Sequence, residues 1–163
     1  MSNQPMQRGQ QWLEEFLRLS KLPARVEAIQ SDDPQDDKPN YWLTIDETKL
    51  TPQQIQTLIG SDGTVLDALQ YLTNSILNLG QEDQEQAAYT IELDGYRLRR
   101  QAELQALAAH AAQQVRETGE EFEMKSLSSA ERRQVHTFLK ACDDLETQSR
   151  GQEPDRRLVV RRR

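Results

Sequence analysis

Leu58-Ile59-Gly60-Ser61-Asp62-Gly63-Thr64-Val65-Leu66-Asp67-Ala68-Leu69-Gln70-Tyr71-Leu72 reads as the end of one helix, a four-residue Gly-x-x-Gly turn and the opening of a second helix. Just upstream, Thr51 followed by Pro52 is an N-cap with proline at the first helical position, and Gln54 completes a capping box. A short helix therefore runs from there to Gly60. The next runs over residues 64–79, where Val65, Leu69, Leu72, Ile76 and Leu79 trace an apolar stripe and Gly80 is placed to end it.

Working outward, residues 7–20 predict a helix with Trp12, Leu13, Phe16 and Leu17 on one side. Residues 25–28 and 41–45 alternate and predict a strand hairpin, joined by an acidic loop over 31–40 that carries Pro34 and Pro39. Residues 81–86 are polar and read as a loop before a third strand at 89–93. The order is α-β-β-α-α-β. Trp12, Phe16, Tyr41 and Trp42 are expected in the core, leaving Tyr71 and Tyr96 as the candidates for exposed aromatics.

Asp94-Gly95 marks a turn and the expected boundary between domains at 1–94 and 95–163. A long helix should follow to residue 118, burying Leu104, Leu107, Ala108, Ala111 and Val115 and stopping at Gly119. Residues 122–127 read as a strand. Ser128-Ser129-Ala130-Glu131 is a second capping box, so a helix begins at Ser128 or Ser129. Strands at 145–150 and 156–161, joined through 151–155, complete the chain. The fold class is α+β, with two small domains and, in the second, helices on a small three-stranded sheet.

The second capping box opens a helix with a cationic row. Arg132, His136 and Lys140 fall one turn apart on one face, while Val135, Phe138, Leu139 and Cys142 fall on another. Cations at about 6 Å spacing suit a run of phosphates. Arg132 offers a bidentate pair and Lys140 a point charge. His136 suits a phosphate or a base, or bridges the helix to the sheet. Arg133 adjoins the row. Arg156 and Arg157, with Arg150, are expected to extend the patch, and residues 161–163 form a basic tail. Arg97, Arg99 and Arg100 open a helix at its positive dipole end, a placement that invites an anion or acidic neighbours.

The net charge of −7 and pI near 4.9 argue against a nucleic-acid partner only when read globally. Residues 1–94 hold 6 Lys/Arg against 16 Asp/Glu, whereas residues 95–163 hold 14 against 11, giving local charges of −10 and +3. No apolar run is long enough for a membrane span, and the N-terminus has no leader pattern. One cysteine, Cys142, forms no intramolecular disulfide, and a reducing cytoplasm is the expected setting. His110, His136 and Cys142 lack metal-ligand spacing, and no Gly-x-x-x-x-Gly-Lys motif occurs. Neither a catalytic role nor a cofactor is expected.

The ordered combination resembles the Jag family of bacterial RNA-binding proteins, which join a type II KH domain to an Arg-x-x-x-His domain. The α-β-β-α-α-β order, the Ile59-Gly60-Ser61-Asp62-Gly63 turn and Leu66-Asp67-Ala68-Leu69-Gln70-Tyr71-Leu72 resemble the KH half. Asp94-Gly95-Tyr96-Arg97 through Arg100, Glu131 to His136, Glu146-Thr147-Gln148-Ser149 and Arg156-Arg157-Leu158-Val159-Val160 resemble the remainder. The likeness is to a form that starts at the KH half, without the extra N-terminal domain of many members. It implies single-stranded RNA as ligand, with DNA sharing the same electrostatics, and a small single-KH-domain protein or a second copy as partner.

One departure matters. The family usually has a basic residue in the turn, where this chain has Ser61-Asp62. In a KH turn, Gly60 and Gly63 would admit a sugar-phosphate backbone, and the helix after Gly63 would offer free N–H groups. A carboxylate about 5 Å from a phosphate is repelled by roughly 1 to 3 kcal/mol at effective dielectric constants of about 80 to 20. Gly60, Ser61, Asp62 and Gly63 therefore form a second, weaker candidate site beside Arg132, His136, Arg133, Lys140, Arg156 and Arg157. The expected function is salt-sensitive RNA binding through phosphates by the C-terminal domain in a post-transcriptional regulator. The alternatives are a protein–protein adaptor assembled through the KH half, or a single-stranded DNA binder.

Overall fold

A computed structural model describes residues 3–32 and 38–163. The element order is α1 (Gln4–Leu19), β1 (Val26–Ser31), β2 (Asn40–Ile45), α2 (Pro52–Ile59), α3 (Thr64–Asn78), β3 (Ala88–Leu93), α4 (Tyr96–Thr118), β4 (Phe122–Met124), α5 (Ser129–Lys140), β5 (Leu145–Arg150) and β6 (Arg157–Arg162). Most of the acidic loop predicted over 31–40, including Pro34, lies outside the described residues. The chain divides into compact units at 1–97 and 98–163, so the division falls inside the first turn of α4 rather than at Asp94-Gly95.

In the first unit β1 pairs antiparallel with β2, and β2 pairs parallel with β3. Alternation along the strands puts Tyr41, Leu43, Ile45, Tyr89, Ile91 and Leu93 on the face that packs with Leu13 and Leu17 of α1 and Leu66 and Leu69 of α3. Trp42 departs from the expected core position. It shares the other sheet face with its register partners Ile29 and Thr90, and Ile29 is 55% exposed. Trp12 and Phe16 stack at the margin of the core, with ring centroids 5.7 Å apart.

The buried row of α3 also differs from the predicted one. Leu66, Leu69, Thr73 and Leu77 face inward, whereas Val65, Leu72, Ile76 and Leu79 are 44–80% exposed. Both rows fit the helical period. Thr73 hides the true one, because a threonine reads as polar until its hydroxyl is seen donating to the Leu69 carbonyl. A neighbouring row of amides was silent in the sequence. Asn74 accepts from the Tyr89 N–H and donates to its carbonyl, and Asn78 does the same for Ala87. Gln70 accepts from the Ile91 N–H at 2.9 Å. These side chains satisfy the outer edge of β3, which would otherwise be an open sheet edge.

In the second unit β6 lies between β4 and β5, antiparallel to both. β4 ends at Met124, before the predicted 127, because Ser126 takes a left-handed conformation (φ 61°). Leu104, Ala108, Ala111 and Val115 of α4 pack with Val135 and Leu139 of α5, Leu145 of β5, and Leu158 and Val160 of β6. The capping box of α5 forms as predicted: Ser128 Oγ accepts from the Glu131 N–H, and Glu131 accepts from the Ser128 N–H. No helix among the described residues is long and apolar enough to cross a membrane.

Candidate functional site

An open pocket of about 370 Å³ lies between the first two turns of α5 and strands β5 and β6. Ser129, Arg132, Arg133, His136, Thr147, Ser149, Arg156 and Leu158 line it. Four of the predicted site residues, Arg132, Arg133, His136 and Arg156, are therefore brought together. Thr147 and Ser149 were not singled out as site residues. Their two-residue spacing on β5 was the available signal, since it puts both on the face that meets α5.

Arg132 is not the exposed phosphate fork its spacing suggested. It is 5% exposed. One guanidinium nitrogen donates to the Leu127 carbonyl at 2.6 Å and to the Arg156 carbonyl at 3.3 Å. The other donates to Ser129 Oγ at 3.0 Å and to the carboxylate of Glu153. The helical row predicted from one-turn spacing thus begins buried and becomes exposed. α5 leans its first turn onto the segments that follow β4 and β5, so an arginine there meets main-chain carbonyls rather than water.

His136 is exposed and its Nδ1 hydrogen-bonds the Thr147 hydroxyl, so it does join helix to sheet while its ring stays open to the pocket. Arg133 and Arg156 are exposed at the rim. Lys140 is exposed on the last turn of α5, beyond the pocket lining.

Arg157 and Arg150 do not extend this patch. Strand alternation points them to the opposite sheet face, where Arg157 pairs with Glu123 at 2.8 Å and Arg150 with Glu121 at 2.7 Å. The Arg150 guanidinium holds the Glu121 carboxyl below its usual range. The basic tail is likewise engaged: Arg161 pairs with Glu146 at 2.5 Å, and Arg162 belongs to β6 and donates to the Arg116 carbonyl. The cations at the start of α4 also have acidic neighbours. Arg97 pairs with Asp67, its backbone N–H is capped by Glu92, and Arg100 binds Glu131 at 2.7 Å. His110 is exposed, with its ring edge-on to Phe122 at 5.7 Å.

The Gly-x-x-Gly turn is built differently from the expected open backbone. Ser61 and Asp62 are exposed, and Asp62 has a left-handed backbone (φ 52°). The space at Gly63 is filled by the Tyr96 ring and hydroxyl, which leave no room for a Cβ, and the space at Gly60 is filled by Val65. These glycines admit the chain's own side chains. Tyr96 is accordingly packed against the core, and Tyr71 is the exposed aromatic, at 72%.

Among the described residues no group of three or more His, Cys, Asp or Glu is placed to hold a metal ion. The cluster at the pocket offers something else, a concave surface with hydroxyl donors, a histidine and three arginines, suited to an anion such as phosphate.

The comparisons with known proteins agree with that chemistry. The chain is 32% identical over 103 residues to a protein of Clostridium symbiosum named RNA-binding protein KhpB, covering 63% of this chain and 46% of that one. It is 28% identical over 162 residues to the protein of that name in Bacillus subtilis, covering 87% of this chain and 77% of that one. The namesake in Lactiplantibacillus plantarum is 33% identical over 103 residues, covering 63% of this chain and 31% of its own length. The chain thus spans under half the length of two of these relatives and about three quarters of the third. Residues 102–162, which contain the whole pocket, match the family of Arg-x-x-x-His domains, named for the arginine–histidine spacing that Arg132 and His136 show.

Proposed function

We propose that this protein is a Jag-type regulator that binds single-stranded RNA, with a type II KH domain over residues 1–94 and an Arg-x-x-x-His domain over 95–163. The observation that carries the reading is the pocket itself, because it collects Arg133, His136 and Arg156 on an exposed concave surface inside the segment matching the Arg-x-x-x-His domain family. Binding is dominated by phosphates. Arg133, Arg156 and Lys140 supply the charge, His136 adds a hydrogen bond or a stacking face, and Arg132 fixes the floor of the pocket. A cytoplasmic binding protein without catalytic chemistry fits these groups and the printed names of the relatives.

The test is binding of a mixed-sequence single-stranded RNA to the full chain beside Arg133→Ala/Arg156→Ala. A loss of tenfold or more in the folded double variant is expected. Unchanged affinity would remove the pocket from the binding surface, and preference for single-stranded DNA of the same sequence would change the ligand. The Gly60-Ser61-Asp62-Gly63 turn contributes little in this reading, because its glycines are occupied and Asp62 repels phosphate.

One observation favours a second activity. The outer face of α3 exposes Val65, Leu72, Ile76 and Leu79 beside Tyr71, a surface suited to a second KH-type chain, either another copy or a small single-domain protein. Leu72→Glu/Ile76→Glu should abolish self-association in sedimentation if the occupant is a second copy, with RNA binding by the pocket retained.

A further inference from the structure

We infer that Glu153 stands in the place of a nucleic-acid phosphate, so that the corner formed by Arg132 and Ser129 is the innermost phosphate-binding point of the pocket and the turn after β5 supplies its displaceable occupant. The inference rests on the nucleic-acid reading above and adds a competitor to it.

The geometry is asymmetric. The Arg132 side chain is 6% exposed, whereas that of Glu153, its ion-pair partner, is 58% exposed. Arg132 is aimed by the Leu127 and Arg156 carbonyls, neither of which depends on Glu153. Its second guanidinium nitrogen points to the pocket and meets one carboxylate oxygen, Glu153 Oε1. Ser129 Oγ reaches the same oxygen at 3.5 Å. Two donors from the first turn of α5 thus converge on one anionic oxygen. A non-bridging phosphate oxygen makes the same demand on them, with the same charge assistance.

A guanidinium this buried requires an anion, since removing its partner would leave an uncompensated charge. Two anions satisfy it: the carboxylate of the chain's own turn or a phosphate of a bound strand. Their surroundings differ. Glu153 sits largely in water, where an ion pair holds its partner weakly and a carboxylate is readily resolvated. A phosphate seated at the same corner is also within the ring formed by Arg133, His136 and Arg156, which line the same pocket. The exchange therefore keeps Arg132 neutralised throughout. It also requires the strand to compete with an intramolecular carboxylate, which lowers affinity and rejects anions too small to reach the rim cations as well.

The experiment compares RNA affinity of the full chain with that of Glu153→Gln and Asp155→Asn. Glutamine keeps a carbonyl oxygen for Arg132 but removes the competing charge, and Asp155 is an acidic residue of the same turn. Glu153→Gln should bind at least fivefold more tightly, and Asp155→Asn less than twofold. Equal gains in both would reduce the effect to general electrostatics, and unchanged or weaker binding by Glu153→Gln would make the carboxylate a support for the site; either result overturns the inference. A titration with dimethyl phosphate, followed by NMR at the Arg132 Nε–H and the Ser129 amide, tests the phosphate point without RNA. Shifts that saturate at lower concentration in Glu153→Gln support it even if the RNA reading fails. RNA binding with no shift at either position in either protein overturns it and leaves that reading standing.

Discussion

Arg132 and Arg133 are adjacent arginines with opposite assignments. The first is held by four acceptors, the Leu127 and Arg156 carbonyls, Ser129 and Glu153. The second is exposed at the pocket rim. Truncating Arg132 leaves the Leu127 carbonyl without that donor and opens a gap beneath the turn after β5. Buried polar groups stripped of partners cost about 1 to 3 kcal/mol each. Arg132→Ala should therefore lower the unfolding free energy by about 2 to 3 kcal/mol in urea titration, since the Glu153 carboxylate it releases is already in water. Arg133→Ala should change stability by no more than about 0.5 kcal/mol, as exposed substitutions do, while weakening RNA binding. Equal stability losses in the two variants would contradict the assignment. Only the second variant reports on ligand contacts, because loss of binding in the first mixes a disordered pocket with a missing charge.

At the scale of elements, two contacts not predicted from the sequence carry testable weight. The amide row of α3 seals β3, and Asn74 serves both the N–H and the carbonyl of Tyr89. Asn74→Ala should destabilise the first unit by roughly 2 kcal/mol or more, because two main-chain groups lose partners. Amide hydrogen exchange should then accelerate at Tyr89 well before it does in β2; no acceleration there would mean the edge is protected by something else. The second contact joins α4 to the turn before β5. Arg116 binds both carboxylate oxygens of Asp144, at 2.7 and 2.8 Å, and holds that carboxyl down to about 2. A depressed carboxyl means that the unfolded chain takes up the proton first as pH falls. The stabilisation is therefore complete above the ordinary carboxylate value, about 3.9, and is lost as pH falls through about 2. The pair is exposed and its effect modest, so the check is differential: the stability gap between the parent and Asp144→Asn should close between about pH 4 and pH 2. A gap constant over that window would show the pair to be idle.

The same elements show what could be read in advance. Both capping boxes and the α-β-β-α-α-β order were legible because they depend on local spacing, as with Ser128 and Glu131 or Thr51 and Gln54. The inward face of α3 was misread because Thr73 broke an otherwise regular apolar row. The pocket was half legible. One-turn spacing gave Arg132, His136 and Lys140, yet which of them faces water depends on segments such as Leu127 and Glu153, whose approach no local pattern encodes. Arg157 failed for a simpler reason, since one residue along a strand changes the face and Arg156 alone precedes β6 on the pocket side.

For the whole molecule the question is how a chain of net charge −7 attracts a polyanion. Charge is segregated, −10 over residues 1–94 and +3 over 95–163, and many cations of the second part are already spent on ion pairs such as Arg150–Glu121, Arg157–Glu123 and Arg161–Glu146. The effective attraction is thus local, from Arg133, Arg156 and Lys140. About three phosphate contacts on a single strand predict a slope near −2 for log affinity against log salt, or about a 20-fold loss between 50 and 200 mM. Lys140→Ala should make the slope shallower by roughly 0.7. Asp62→Asn should leave both slope and affinity within about twofold, because the turn's glycines are filled by Tyr96 and Val65 and no phosphate of a strand held in the pocket need approach that carboxylate. A gain of tenfold on Asp62→Asn would move the binding surface to the Gly-x-x-Gly turn. A flat salt response would mean that contacts other than phosphates dominate, and would turn attention to Tyr71 and the apolar face of α3 instead.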